Sequence, residues 1–547
     1  MKLLKDDVLF QNSFGKEHYH RFLRDLCMRR NKIIKGDKSD TSFSPLIEHI
    51  LEKENPEKAF EILKAAYTRF NEDPFFAQQL ARLCYTYEKF PEAKVWADTA
   101  EKKMPHNSYI LDTKGQVFKR WFNDKYKNLE GNISPESTVD TIATALEAIE
   151  CFRTCEGAAN LEQDSMNNSG YFSEVQVERD LLDLVLKVFP RGEKGRSECM
   201  QYLVTGHIPE RVKKPWECFH SKLKFIHKNM HDALTRISED LSYFQMDVSL
   251  DDDEQYSTEL KIRNPVKWLA RQTAWYGNFF KDVELPSKEQ NQLSTRMKLC
   301  SLGGDNITSI FSLLSEKKQD QLESIVTVYG GLKKLDQMEL ANYIASQIAL
   351  GCVSSASTSK LKELQACSHQ FPRDRDRCHP NALFLLTLLF WPEDGDTNQE
   401  RDNKYEILMS ALDVLKRSFK IKQKNVPHKE LRVFTHFYLG KGSGLSKIVH
   451  KSMIQAFKTF TVSQKRIKWF DGYIWKTPEI VHMLKRVQGW TEHGNVYIKG
   501  CKGKEIKIRA LNSDSVPDGN ENVEFYVGFT FQGPVACGIT VCDAGET

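Results

Sequence analysis

The sequence lacks most of the signals that would place it among membrane proteins or common enzymes. Its longest apolar stretch, Ala382–Trp391, is far shorter than a membrane-spanning helix of about 20 residues requires. Together with a mean hydropathy of −0.51, this excludes a multispanning helical membrane protein, and no membrane insertion is expected. Met1–Gly15 places Asp6 and Asp7 where a secretory signal needs an apolar core. No Cys-x-x-Cys pair occurs among the 13 cysteines, which are scattered from Cys27 to Cys542. An odd, dispersed set without a signal peptide reads as reduced thiols in the cytosol rather than as a disulfide framework. Cys151 and Cys155 fall one helical turn apart in an apolar pattern and read as packing.

Catalytic motifs are also missing. The phosphate-binding pattern G-x-x-x-x-G-K-[ST] does not occur; Gly440–Gly444 (GKGSG) has the wrong spacing and is followed by Leu445. There is no H-E-x-x-H, no G-x-S-x-G and no dinucleotide fingerprint. We therefore expect no cofactor and no enzymatic activity. Two histidine groups could suggest metal. His220, His227 and His231 would share one face of a helix, where a polar surface explains them and no matching ligand set is evident. Cys367, His369, Cys378 and His379 offer four nitrogen and sulfur donors in one loop, but their spacing matches no standard zinc finger. Neighbouring Cys378 and His379 would also find joint ligation awkward, so no metal is assigned there.

What the chain does have is helical periodicity and a repeat. Pro56-Glu57-Lys58-Ala59 opens one helix and Phe90-Pro91-Glu92-Ala93 opens another. Ala59 and Ala93 are 34 residues apart, as are Ala66 and Ala100, which is the tetratricopeptide period. Leu80 and Ala81 supply the large and small residues of an intervening first helix, Pro105 ends the repeat, and Leu111, Gly115 and Phe118 occupy matching positions in the next. Small residues let paired helices approach while large ones fill the groove between them. Beyond Phe122 the strict period fades: Asn123–Thr138 reads as a polar insertion, Val139–Ala158 as a helix and Gln163–Gly170 as a loop. Further helices are expected through the middle of the chain, among them Lys429–Leu439 and Ser446–Phe460.

After about Trp490 the periodicity changes. Asn495–Lys499 and Glu505–Leu511 alternate, Asn512–Asn522 is turn-rich, and Val523–Phe531 and Val535–Val541 read as strands, with Gly528 suggesting a bulge. The fold class is mainly α: a tetratricopeptide-like α-solenoid followed by a small β domain. An oligonucleotide/oligosaccharide-binding-like barrel is one candidate, and an immunoglobulin-like sandwich would give similar periodicity. The expected organisation is an N-terminal helical connector over 1–55, tetratricopeptide-like helices over 56–246, an acidic linker over 247–256, further helical repeats over 257–464, and a basic β-rich domain over 465–547.

The net charge of +4, from 78 basic and 74 acidic residues, conceals a division along the chain. Lys416–Arg509 holds 22 Lys and Arg against 5 acidic residues, a net +17, which leaves 56 against 69, a net −13, elsewhere. Aromatics are interleaved with the cations. Lys465, Arg466, Lys468, Trp469, Tyr473, Trp475, Lys476, Lys499, Lys502 and Lys504 are the candidate nucleic-acid contacts, cations for phosphates and rings for bases. The competing reading buries the aromatics in a core or domain junction, and packing alone favours it. A third reading docks the basic end on the acidic body as an autoinhibitory module. A cryptic enzyme, with a pocket assembled between distant helices, is the rival from another class.

Three idiosyncratic strings, Phe43–Leu51 (FSPLIEHIL), Ile474–Lys499 (IWKTPEIVHMLKRVQGWTEHGNVYIK) and Phe525–Gly538 (FYVGFTFQGPVACG), carry a family resemblance. The chain resembles the C-terminal third of the sterile alpha motif domain-containing protein 9 and 9-like family. That resemblance implies a cytoplasmic, interferon-inducible antiviral effector of innate immunity that restricts poxviruses, represses translation, limits proliferation and is linked to endosomal vesicle fusion. It implies a domain order of sterile alpha motif, nuclease, sirtuin-like region, P-loop NTPase, tetratricopeptide-like repeats and terminal oligonucleotide/oligosaccharide-binding-like domain. The nuclease and NTPase would precede the region matched here, so no catalytic residue carries over. The expected partners are proteins on the helical repeats, and RNA or the ribosome on the basic end.

Overall fold

A computed structural model describes residues 56–129, 131, 133–161, 169–243, 265–280, 288–354, 360–424, 435–457, 472–500, 504–511 and 515–542. Four helices open the described chain: α1 (Pro56–Arg69), α2 (Pro74–Thr86), α3 (Phe90–Lys103) and α4 (Ser108–Asn128). Their starts follow local chemistry. Asp73 accepts the Phe75 N–H at 3.0 Å just before Pro74, whose missing N–H costs nothing in a first turn. Asn107 accepts the Ile110 N–H at 3.1 Å and so caps α4. The small residues expected at the helix crossings, Ala59, Ala66, Ala81, Ala93, Ala97 and Ala100, are all buried. Gly115 is required by a close approach, because a Cβ there would lie 2.5 Å from the Phe152 ring of α5 (Val139–Leu161). Helix α4 runs on to Asn128, so the first part of the expected insertion is helical.

Helices α5, α6 (Ser169–Val188), α7 (Glu193–Thr205), α8 (Ile226–Tyr243), α9 (Pro265–Phe280) and α10 (Lys288–Leu302) enclose a second core containing Phe152, Leu181, Trp216 and Tyr276. The buried Trp216 donates its indole N–H to the Pro135 carbonyl at 2.9 Å, tying the segment ahead of α5 to this core. Three carboxyls are buried in this unit: Glu156, Glu174 and Glu178. Glu174 lies 3.3 Å from the Arg153 guanidinium, while both Glu178 oxygens lack a hydrogen-bond partner. Burial raises all three carboxyls, and repulsion from Glu174 raises Glu156 and Glu178 further, Glu156 to about 10.

The third core is shared between helices and strands. It is built from α11 (Ile307–Ser315), α12 (Gln319–Gly330), α13 (Gln337–Val353), α14 (Lys360–Ser368), α15 (Pro380–Leu389), α16 (Asn398–Lys424) and the C-terminal sheet. A capping box between Asp336 and Glu339 starts α13. Helix α15 is buried along Asn381–Leu389, which explains why the longest apolar stretch of the sequence falls on it. It docks directly on the strands: Phe384 stacks on Phe531 at 4.3 Å, and Trp391 meets Phe529 edge-on at 5.3 Å.

The strands are β1 (Phe437–Leu439), β2 (Ile448–His450), β3 (Arg486–Glu492), β4 (Asn495–Lys499), β5 (Glu505–Ala510), β6 (Asn522–Thr530) and β7 (Gly533–Val541). The order β6-β3-β4-β5-β7 closes through a β6–β7 pairing, giving a five-stranded barrel. All its pairs are antiparallel except β5–β7. Numbered within the barrel, the order is 1-2-3-5-4-1, the Greek-key closure of the oligonucleotide/oligosaccharide-binding fold. Closure excludes the sandwich alternative. Val496, Ile498, Ile506, Ile508, Val523 and Phe525 fill the interior. The outer side of β6 and β7 is covered by Ile454, Ile474, Trp475, Ile480 and Leu484, so these strands are buried on both faces.

Two expected helices are corrected. Over the described part of Lys429–Leu439 and Ser446–Phe460, residues 435–457 form β1, β2 and short 3-10 turns, and β1 pairs with β6 through Phe437 opposite Phe529. Short apolar runs such as Phe437–Leu439 look alike in a buried helix and a buried strand, and only the distant partner decides. The β structure thus begins ahead of residue 465. The expected bulge at Gly528 is also corrected: the register shift lies between Glu524 and Tyr526, and Gly528 is small because a Cβ would meet the Thr435 side chain at 2.7 Å. The expected connector 1–55, the acidic linker 247–256 and most of the Gln163–Gly170 loop lie outside the described residues. Among the described residues no helix is long and apolar enough to cross a membrane, and eleven cysteines are free thiols.

Candidate nucleic-acid interface

The pleat of β3, β4 and β5 sorts their residues. Val496, Ile498, Ile506 and Ile508 point inward, which leaves Tyr497, Lys499, Lys507 and Arg509 on the outer face. Register then builds a row. Trp490 on β3 is opposite Tyr497 on β4, and Tyr497 is opposite Lys507 on β5. The Trp490 and Tyr497 rings stack with centroids 5.9 Å apart and planes 18° from parallel, each half-buried. Gly489 permits this approach, because a Cβ there would lie 2.2 Å from the Tyr497 carbonyl oxygen.

Cations border the row on its β4–β5 side, while Gln488 and Glu524 lie on its β3–β6 side. Lys499, Lys504, Lys507 and Arg509 are exposed, with Glu505 the one carboxylate on β5. Arg509 is oriented by donating to the Gln532 side chain at 2.8 Å, and Lys416 of α16 donates to the Lys507 carbonyl at 3.1 Å. Lys499 and Lys504 lie near one another at the ends of β4 and β5, where the Gly500 N–H bonds the Lys504 carbonyl at 2.8 Å. A face of stacked rings bordered by cations suits a single strand: rings offer sequence-tolerant stacking and ammonium or guanidinium groups neutralise phosphates.

The candidate residues from the sequence divide into three groups. Lys465, Arg466, Lys468, Trp469 and Lys502 lie outside the described residues. Lys476, Lys499 and Lys504 are exposed, and Tyr473 is 58% exposed. Trp475 is corrected: it is buried among Tyr438, Phe457 and Tyr526, with ring centroids 5.9 to 6.0 Å away, and presents no face to a base. Sequence reading missed Trp490, Tyr497, Lys507 and Arg509 as one surface. Alternation in Asn495–Lys499 and Glu505–Ala510 held part of the signal, but only register joins the strands.

Part of the basic segment is committed elsewhere. Lys447, almost fully buried, donates to Glu393 at 2.9 Å and to the Trp391 carbonyl at 2.7 Å. Lys485 pairs with Asp394 at 2.5 Å, and Arg417 with Asp376 at 2.8 Å. The donors of the Cys367–His379 loop are likewise dispersed. His379 caps α15 through Nδ1 and pairs with Glu239 at 2.9 Å, Cys378 is buried with its thiol on the Pro372 carbonyl at 3.3 Å, and His369 lies against the Phe390 ring. The single helix expected for His220, His227 and His231 is corrected: His220 opens a separate short helical turn, His220–Leu223, and bonds the Tyr202 hydroxyl at 2.8 Å, while His227 and His231 lie on α8, where His227 bonds the Lys224 carbonyl at 3.2 Å.

No family model matches the chain. Over 596 aligned positions it is 28% identical to human sterile alpha motif domain-containing protein 9-like, covering 99% of this chain. Human sterile alpha motif domain-containing protein 9 is 27% identical over 601 positions, again with 99% of this chain covered. The chain is thus distantly similar to this family along almost its whole length. The mouse 9-like protein is 27% identical over 581 positions. The chain spans 36% of the length of each of these relatives, so the similarity bears on a region of the family proteins and not on their full extent.

Proposed function

We propose that the chain is a non-catalytic interaction region in which the terminal barrel binds single-stranded nucleic acid, RNA in particular, on the outer face of β3, β4 and β5. The supporting observation is the cross-strand row Trp490–Tyr497–Lys507 with Lys499, Lys504 and Arg509 beside it. The helical body serves as a scaffold for protein partners, since packed helical hairpins offer long surfaces. The family resemblance extends the proposal to an interferon-inducible, cytoplasmic, translation-repressing and endosome-linked antiviral effector, whose NTPase this region would regulate. A cleft of about 510 Å³ between α9, α10, α11 and α12 is lined by Lys267, Arg271, Lys318 and serine hydroxyls, with Glu316 its one carboxylate and no histidine.

Anisotropy of a labelled single-stranded RNA titrated with the whole chain tests the interface. Binding should weaken steeply with salt and fall when Lys499 and Lys507 are both changed to Glu. Absent binding at low salt, or affinity independent of salt, would sink it. A second reading has its own observations: Lys447–Glu393, Lys485–Asp394 and the Phe384–Phe531 stack show that one side of the strand region is sealed against the helices. Those contacts favour a built-in junction on that side, with the β3–β5 face left for a ligand.

A further inference from the structure

A second constellation lies far from the barrel. His231 sits in the second turn of α8. Cys300, buried, sits in the last turn of α10, and Asp305 follows in the connection to α11. Their donor atoms, an imidazole nitrogen, a thiol sulfur and a carboxylate oxygen, all lie within 4.8 Å of one another. Among the described residues this is the group of His, Cys, Asp and Glu side chains gathered closely enough to share one ion.

The connection that brings Asp305 back over Cys300 is held from several sides. Gly303, at φ 77°, turns the chain after α10, and its N–H bonds the Cys300 carbonyl at 3.0 Å. Tyr329 donates its hydroxyl to the Gly304 carbonyl at 2.7 Å, and Asn342 donates its side-chain amide to the Asp305 carbonyl at 2.5 Å. Asn306 donates to the Asp305 carboxylate at 3.0 Å. The Asn306 side-chain oxygen accepts from Ser238 of α8 at 3.0 Å and from the Ser309 N–H at 2.8 Å. The carboxylate is thus oriented by a residue that is itself anchored on α8 and α11, the outer-shell arrangement that fixes a metal ligand. The guanidinium nearest Cys300 in sequence, Arg296, is engaged by Glu339 at 2.7 Å and Asp336 at 3.3 Å. Its charge is thereby largely offset by those two carboxylates.

We propose that His231, Cys300 and Asp305 form a zinc site that clamps α8 to the α10–α11 corner. Sulfur, imidazole and carboxylate are the donors zinc takes in tetrahedral sites, and the sulfur argues against magnesium or calcium, which take oxygen. On binding, the Cys300 thiol gives its proton to solvent and coordinates as thiolate, His231 binds through a neutral nitrogen, and Asp305 binds through one oxygen. Three protein donors leave the fourth position to water. The ligands come from distant parts of the chain, so the ion restrains a long intervening segment.

Zinc content of the whole chain, purified without chelator, gives the first measurement. About one equivalent is expected, falling to background in Cys300→Ser and Asp305→Asn. The second measurement replaces zinc by cobalt. A near-ultraviolet thiolate-to-cobalt absorption band should appear in the wild type, vanish in Cys300→Ser and persist in Cys352→Ser. Asn306→Ala should weaken cobalt binding by about 10–100-fold while leaving the band position unchanged. Background zinc together with no cobalt band in the folded wild type overturns the proposal, and so does a band that survives Cys300→Ser. Both readouts on the wild type stand even if a variant fails to fold.

Discussion

Trp490 and Tyr497 face each other in register across β3 and β4, their rings stacked 5.9 Å apart on the outside of the barrel. Outward aromatics in this position have no interior to fill. Under the proposed function these rings stack on bases, and Tyr497→Ala should then weaken single-stranded RNA binding by about 1–3 kcal/mol, read as anisotropy at fixed salt. Circular dichroism of the variant should match the parent. Unchanged affinity would remove the ring from the interface.

Charge reversal on the same face should read out through salt. If Lys499, Lys504, Lys507 and Arg509 each neutralise a phosphate, the logarithmic salt slope should be roughly −2 to −3 for a single strand. Lys507→Glu should shorten that slope by about one contact. An identical slope in the variant would place Lys507 away from the backbone of the strand.

The carboxyls buried in the second core predict a pH dependence with a definite sign. Burial holds the folded pKa values of Glu156, Glu174 and Glu178 above the ordinary carboxylate value, so the folded state keeps protons that the unfolded chain releases. Their penalty is absent below about pH 4.5 and grows as pH rises from there past neutrality. Glu178→Gln, which replaces a fully buried carboxyl without partners by a neutral amide, should raise the Tm at pH 8.5 and change it little at pH 5. A gain that is the same at both values would disprove the protonated-carboxyl account.

Lys447 and Glu393 offer a test of the junction between helices and strands. Lys447→Met leaves Glu393 without its partner and should destabilise the chain by up to about 3 kcal/mol, less than a fully buried pair since Glu393 keeps some contact with water. Adding Glu393→Leu should recover most of the loss in a urea titration. A double variant no better than the single would show that the carboxylate needs no partner.

Close helix packing can be tested at Gly115. Gly115→Ala forces a methyl against the Phe152 ring and should cost about 1–3 kcal/mol, measured as a drop in denaturant midpoint. Phe152→Leu, by opening room for the methyl, should reduce that cost when the two are combined.

What the sequence revealed followed from distance along the chain. Ala59, Ala93 and Gly115 announce helix pairing because their partners are neighbours and their spacing is regular. Asn495–Lys499 is found at its true limits because alternation is a local property. Phe437–Leu439 does not announce itself as a strand, because its partner on β6 lies far away and a three-residue apolar run has no period. Trp475 belongs to the core, as packing considerations favoured, since a large ring finds more contacts inside than outside. Neither the Trp490–Tyr497–Lys507 row nor the meeting of His231 with Cys300 and Asp305 is visible without register and helix packing, because each joins residues from separate elements.

The pairing of β1 with β6 sets an order for folding. Helices α1 to α4 find their partners within a few dozen residues, so their hairpins form quickly. Phe437 must instead wait for Phe529, and the barrel closes only when β7 meets both β5 and β6. During synthesis the α15 surface, dominated by Phe384 and its neighbours, therefore emerges well before the strands that cover it. That interval, in which a greasy helix stands without its lid, is when the nascent chain most needs a chaperone.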